Sequence, residues 1–106
     1  MLTIARWRAP GRDRRRLSRA VQRYALAERE HFHRASVVEF DTVAERSALY
    51  ERITDRLRDL DRPLPEGALR DLEIILSEPP PIRDYGLNAV RRNERIAGVL
   101  AELEGD

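Results

Sequence analysis

Residues 12–62, RDRRRLSRAVQRYALAEREHFHRASVVEFDTVAERSALYERITDRLRDLDR, run for 51 positions without a proline or a glycine, and their reading decides the fold. Good helix formers dominate the stretch, so it is expected to be helical throughout. On a helical wheel Leu17, Val21, Tyr24, Glu28 and His31 share one face. Val43, Tyr50, Ile53, Leu57 and Leu60 form a second stripe with the 3-4 spacing of a bundle seam. The two stripes do not continue one another. Between them stand two capping-box patterns, Ser36-x-x-Glu39 and Thr42-x-x-Glu45, either of which is a start signal for a new helix. A turn between 33 and 42 is therefore expected. The alternative, one rod of about 70 Å at 1.5 Å per residue, needs a partner along its length.

Downstream, Arg62-Pro-Leu-Pro-Glu-Gly breaks the pattern, and Pro65 suits the first turn of a third helix with Ala68, Leu69, Leu72, Ile75 and Leu76 on one face. Pro79-Pro80-Pro81 stops it. Residues 78–87 are expected to form an extended connector anchored by Ile82 and Tyr85. Asn88 reads as the N-cap of a last helix bearing Ala89, Ile96, Leu100 and Leu103 and closed by Gly105. The expected fold is all-α: a small antiparallel bundle of about four helices, with a long N-terminal helical hairpin, a Pro-rich connector and a C-terminal helix. Residues 1–11 are expected to form a basic arm, and 12–106 a single helical domain.

Size and composition agree with this reading. A chain of 106 residues is one domain by its length. Its 37% charged content exceeds the roughly 25% of typical globular proteins, which favours helices with solvated faces over a thick sheet core. With no cysteine there are no disulfides, thiol nucleophiles or cysteine metal sites. The start, Met1-Leu-Thr-Ile-Ala-Arg-Trp-Arg, lacks the apolar core of a signal peptide, and no apolar run approaches membrane-span length, so a cytoplasmic protein with no transmembrane segment is expected. Sizing is expected to give a homodimer or a subunit of a larger assembly, because charged helices leave a thin monomer core while Tyr50, Leu57 and their neighbours supply a seam.

Charge is distributed unevenly. Residues 1–34 hold ten of the 20 arginines against Asp13, Glu28 and Glu30, a formal +7, whereas the other 72 residues sum to −6. Every basic side chain apart from the histidines is arginine, the residue suited to bidentate contact with phosphate or carboxylate. Arg12, Arg16, Arg19 and Arg23 recur at steps of four, three and four and so project from one side of the first helix. Arg14 and Arg15 beside them, and Arg6 and Arg8 flanking Trp7 in the arm, widen the cationic surface. Such a surface fits a polyanion, nucleic acid first, with Trp7 available to stack on a base. An acidic protein surface is the alternative, which would make the chain a structural adaptor or assembly subunit; an internal charge match to the acidic helices is the structural reading of the same arginines. A second basic group, Arg91, Arg92 and Arg95, opens the last helix, where Glu94 and the acidic tail stand nearby.

Two further readings concern chemistry. Glu28-Arg-Glu-His31 matches the Glu-x-x-His spacing of di-iron helix bundles, but no second copy of the motif exists in the chain outside this segment, so a metal-binding oligomer ranks third and neither a metal nor another cofactor is expected. His31 is expected instead to pair with Glu28 at an interface or at the edge of the core. No Gly-rich phosphate loop, Gly-x-Ser-x-Gly elbow or Cys nucleophile is present, so no catalytic residue is assigned and a binding or regulatory role is expected.

Overall fold

The computed structural model describes residues 12–34, 40–79 and 86–105. They form four helices, α1 Arg12–Arg34, α2 Phe40–Asp59, α3 Glu66–Ser77 and α4 Gly86–Glu104, and among the described residues there is no strand. The all-α bundle expected from the sequence is the fold observed. The arm at 1–11, and Ile82 and Tyr85 of the connector, lie outside the described residues.

Side-chain contacts fix the directions of the helices. Arg14 at the start of α1 reaches Leu60 and Arg62 beyond the end of α2, Ser18 Oγ donates to the Thr54 carbonyl at 3.1 Å, and Glu28 meets Arg46. The first two helices are thus an antiparallel hairpin rather than a rod. Arg46 contacts Ala89 and Asn93, whereas Arg56 contacts Leu103, so α2 and α4 run side by side in the same direction. Glu78, just past α3, pairs with Arg95. Around the bundle the order of neighbours is α1, α2, α4, α3, with only a slight contact closing the ring between α3 and α1. Successive helices alternate in direction as expected, but the central packing of α2 on α4 is parallel. The smallest dimension, 18 Å, is two helix layers deep.

The apolar stripes meet in one core. Leu17 and Val21 of α1, Tyr50, Ile53 and Leu57 of α2 with Leu60, Ala68 to Ile75 on the inner side of α3, and Ile96 to Leu103 of α4 are buried together. Val43 is half-buried, as is Leu76. The α2 seam expected to serve a dimer is therefore covered within the chain itself, because α1 and α4 pack on either side of it.

Helix ends differ from the sequence expectation in three places. Pro65 is the N-cap and not the first helical residue; it has extended geometry, φ −60° and ψ 134°, and its carbonyl accepts from Leu69 N–H at 3.0 Å. Helix α2 begins at Phe40, so Thr42 lies inside the first turn and not at the cap, while Ser36 is outside the described residues. Helix α4 begins at Gly86, two residues ahead of Asn88, and Gly86 has φ +64°, the left-handed region open to glycine. At the other end Gly105 N–H donates to Ala101 O at 2.8 Å, as expected of a closing glycine.

Arginine side chains cover C-terminal carbonyls that α2 and α4 leave without a backbone donor. Arg14 donates to Leu60 and Arg62 at the exit of α2. Arg56 and Arg62 both donate to Leu103 O at 3.0 Å at the end of α4. A mid-helix glycine offers a direct check on this architecture. Gly98 stands in α4 with open space where a Cβ would go, so Gly98→Ala should stabilise the fold by about 0.5–1 kcal/mol. Gly86→Ala should do the reverse, and thermal melts of the two variants should move in opposite directions.

Candidate functional site

The face of α1 opposite Leu17 and Val21 is cationic. Arg15, Arg16, Arg19, Arg23 and Arg29 are all exposed on it. None of the five makes an ion pair or hydrogen bond to a described residue. Arg14 leaves this surface, contrary to the sequence expectation, because it lies on the core side of the helix, where the end of α2 needs a donor. For Arg12 only the helical backbone is described, and Arg6, Trp7 and Arg8 fall outside the described residues.

Most arginines of the other helices are engaged within the chain. Arg52 pairs with Glu104 at 2.9 Å, Arg58 with Asp55 one turn earlier, and Arg56 and Arg62 with the carbonyls of α4. In the second basic group Arg95 pairs with Glu78 at 3.0 Å and Arg92 approaches the other oxygen of that carboxylate at 3.7 Å. Their counter-charge is Glu78 at the end of α3 and not the neighbouring Glu94. Arg91 alone of the three is exposed with no described partner.

A buried polar network crosses the core from α1 through α2 to α4. Arg46, 1% exposed, donates from Nε to Asn93 Oδ1 at 2.7 Å, from Nη1 to Glu28 Oε1 at 3.2 Å and from Nη2 to Ala89 O at 3.3 Å. Tyr50 Oη donates to the second Glu28 oxygen at 3.2 Å, and Asn93 Nδ2 to Thr42 O at 3.0 Å. Tyr24 meets Tyr50 edge to face, with ring centroids 6.1 Å apart. Glu28 thus meets Arg46 and Tyr50, and the pairing with His31 expected from the sequence falls on a side chain outside those described. Among the described residues no group of three or more potential metal ligands comes together.

Burial sets the electrostatics of this network. It pushes the Glu28 carboxyl above its usual 4.5, while the Arg46 guanidinium acts in the opposite sense. The Tyr50 and Tyr24 hydroxyls are raised as well, by burial first and by the Glu28 carboxylate second. With its guanidinium and carboxyl contacts satisfied inside the protein, the network is suited to holding three helices together.

The exposed arginines on the outer face of α1 thus differ from most of those on α2 and α4 in having no described partner within the chain. Among the described residues no helix is long and apolar enough to cross a membrane. Comparison with known proteins gives no match, whether by family model, by curated sequence or by solved structure.

Proposed function

We propose that the protein is a non-enzymatic docking module that binds a polyanionic partner through the outer face of α1, with nucleic acid first among such partners. The observation that carries this reading is the contrast between two sets of arginines. Those of α2 and α4 mostly meet acids or helix carbonyls of the same chain, whereas Arg15, Arg16, Arg19 and Arg23 stand exposed with no described partner.

Helix electrostatics strengthen the argument. The N-terminal end of a helix carries the positive end of its macrodipole, so cations in the first turn cost the isolated helix about 0.3–1 kcal/mol each. Helix α1 nonetheless opens with Arg12, Arg14, Arg15 and Arg16 against a single acid, Asp13. Arg14 answers this by bonding to the end of α2, and an external anion answers it for the others. A phosphate backbone does so most effectively, because each guanidinium presents a planar fork of donors to phosphate oxygens and displaces condensed counterions.

The test is anisotropy of labelled random duplex DNA, single-stranded RNA and polyglutamate titrated with the full chain over a range of salt. Nucleic acid binding should weaken steeply with salt. Arg15→Glu with Arg16→Glu should flatten the slope of log K against log salt by about 1.8, two phosphates at about 0.9 each, and weaken binding to all sequences alike. Helix content should not change, since both side chains are exposed. Absence of nucleic acid binding even at low salt would overturn the reading, and tighter binding to polyglutamate would reassign the face to an acidic protein surface.

A further inference from the structure

Between α1 and α2 runs a groove of about 610 Å³ lined by residues of these two helices. Its rims have opposite signs. Arg19 and Arg23 stand on the α1 side, and Glu51 and Asp55 on the α2 side. Leu26 projects from the groove wall 58% exposed, the second most exposed large apolar side chain among the described residues. Asp55 already holds Arg58, so Glu51 carries the uncompensated negative charge and Arg23 faces it with no described partner.

We propose that this groove is the interface of a homodimer in which a second copy lays its α1 over α2 of the first, about a two-fold axis parallel to the helices. Charge selects the axis. A two-fold perpendicular to the helices would stack α1 on α1 and oppose arginine to arginine. The parallel two-fold moves each α1 across the groove onto the acidic rim of the other copy, and it does so without changing height along the bundle. Height is what makes the match specific. Within one chain Arg14 lies over Leu60, Ser18 over Thr54 and Glu28 over Arg46, so Arg19 stands level with Asp55, Arg23 with Glu51 and Leu26 with Ala48. Because the axis preserves height, the same pairs face each other between copies. Arg23 of each copy meets Glu51 of the other twice over, and Leu26 meets Ala48, an exposed small residue that shares the Glu51–Asp55 side of α2 by the 100° step. An isologous contact of this kind closes on itself and forms no filament.

The dimer also joins the two ends of the molecule that matter for docking. Both α1 N-termini point the same way, so the dimer takes up Arg19 and Arg23 against the acidic rims and leaves Arg15 and Arg16 of the two copies together at one end for a polyanion. The dimer itself does not rest on the polyanion reading, and its test contains no polyanion.

Sedimentation velocity on the full chain at tens of micromolar should show a dimer. Arg23→Glu alone and Glu51→Arg alone each place like charges opposite one another between copies and should each weaken the dimer by roughly tenfold or more, giving monomers with unchanged circular dichroism. Mixing the two monomeric variants in equal amounts should restore a dimer. The glutamate introduced at position 23 of one chain then faces the arginine introduced at position 51 of the other, and the two remaining native residues face each other. An intrachain effect cannot produce that recovery. A monomeric wild type, single variants as dimeric as wild type, or monomers that stay apart on mixing would each overturn the proposal. In the first case the groove passes to residues 1–11 of the same chain or to a different protein.

Discussion

Replacing Arg46 with methionine should destabilise the protein by about 3–5 kcal/mol at neutral pH, the effect expected when one partner of a buried ion pair is removed. The loss is large because the guanidinium serves Glu28, Asn93 and Ala89 at once and is 1% exposed. Without it Glu28 keeps only the Tyr50 hydroxyl, and a carboxylate 3% exposed faces an apolar core. Against a total stability of about 5–15 kcal/mol for a small domain, the variant has little margin. The pH dependence has a definite sign. Since burial raises the Glu28 carboxyl above 4.5 in the folded state, its contribution to stability is fully present below the unfolded value and is lost as pH rises through the folded one. Removing Arg46 raises the folded value further, so urea denaturation should find Arg46→Met closest to wild type at acid pH and furthest from it near neutrality. Adding Glu28→Leu should recover part of the loss by removing the unpaired buried carboxylate, while Asn93 Oδ1, Ala89 O and the Tyr50 hydroxyl stay without their partners.

The signal for this network is present in the sequence, although its meaning is not. In α2 the apolar seam Val43, Tyr50, Ile53, Leu57, Leu60 skips one step of its 3-4 rhythm, and Arg46 fills the gap. In α4 Asn93 fills the gap between Ala89 and Ile96, and in α1 Glu28 sits on the seam after Leu17, Val21 and Tyr24. One polar residue at a seam position on each of three helices implies a buried polar contact. Periodicity within one helix says nothing of the register between helices, so the meeting of Glu28 with Arg46 and Tyr50 of α2 cannot be read until the order α1, α2, α4 is known. The same limit explains the arginines. That Arg16, Arg19 and Arg23 share an exposed face follows from their spacing, but which other arginines are neutralised depends on acids far away in the chain: Glu104 for Arg52, and Glu78 for Arg92 and Arg95. Arg14 turns inward because the end of α2 lies beside it, a fact of packing invisible in the local pattern.

Truncating Leu57 to alanine should lower stability by about 2–5 kcal/mol, the range for a core leucine whose surroundings only partly collapse into the space left behind. Leu57 is wholly buried in the core that all four helices of its own chain build. The variant should therefore melt earlier at dilutions where association plays no part. Leu26→Ala should behave in the opposite way. Its side chain contributes little to the folded monomer, being 58% exposed, and its removal should leave the melt near that of wild type while weakening self-association. The pair of variants separates two uses of apolar surface that look alike in the sequence. Both leucines stand among charged residues on long amphipathic helices, but Leu57 continues the 3-4 periodicity of the α2 seam whereas Leu26 lies off the apolar stripe of α1. That periodicity belongs to a surface closed by α1 and α4 of the same molecule, which is why the better seam is the core. The isolated Leu26, set between an arginine rim and an acidic rim, is the apolar surface left for a second chain. Equal loss of self-association in both variants, with equal shifts in melting, would mean that folding and association are a single event and that the monomer core is not self-sufficient.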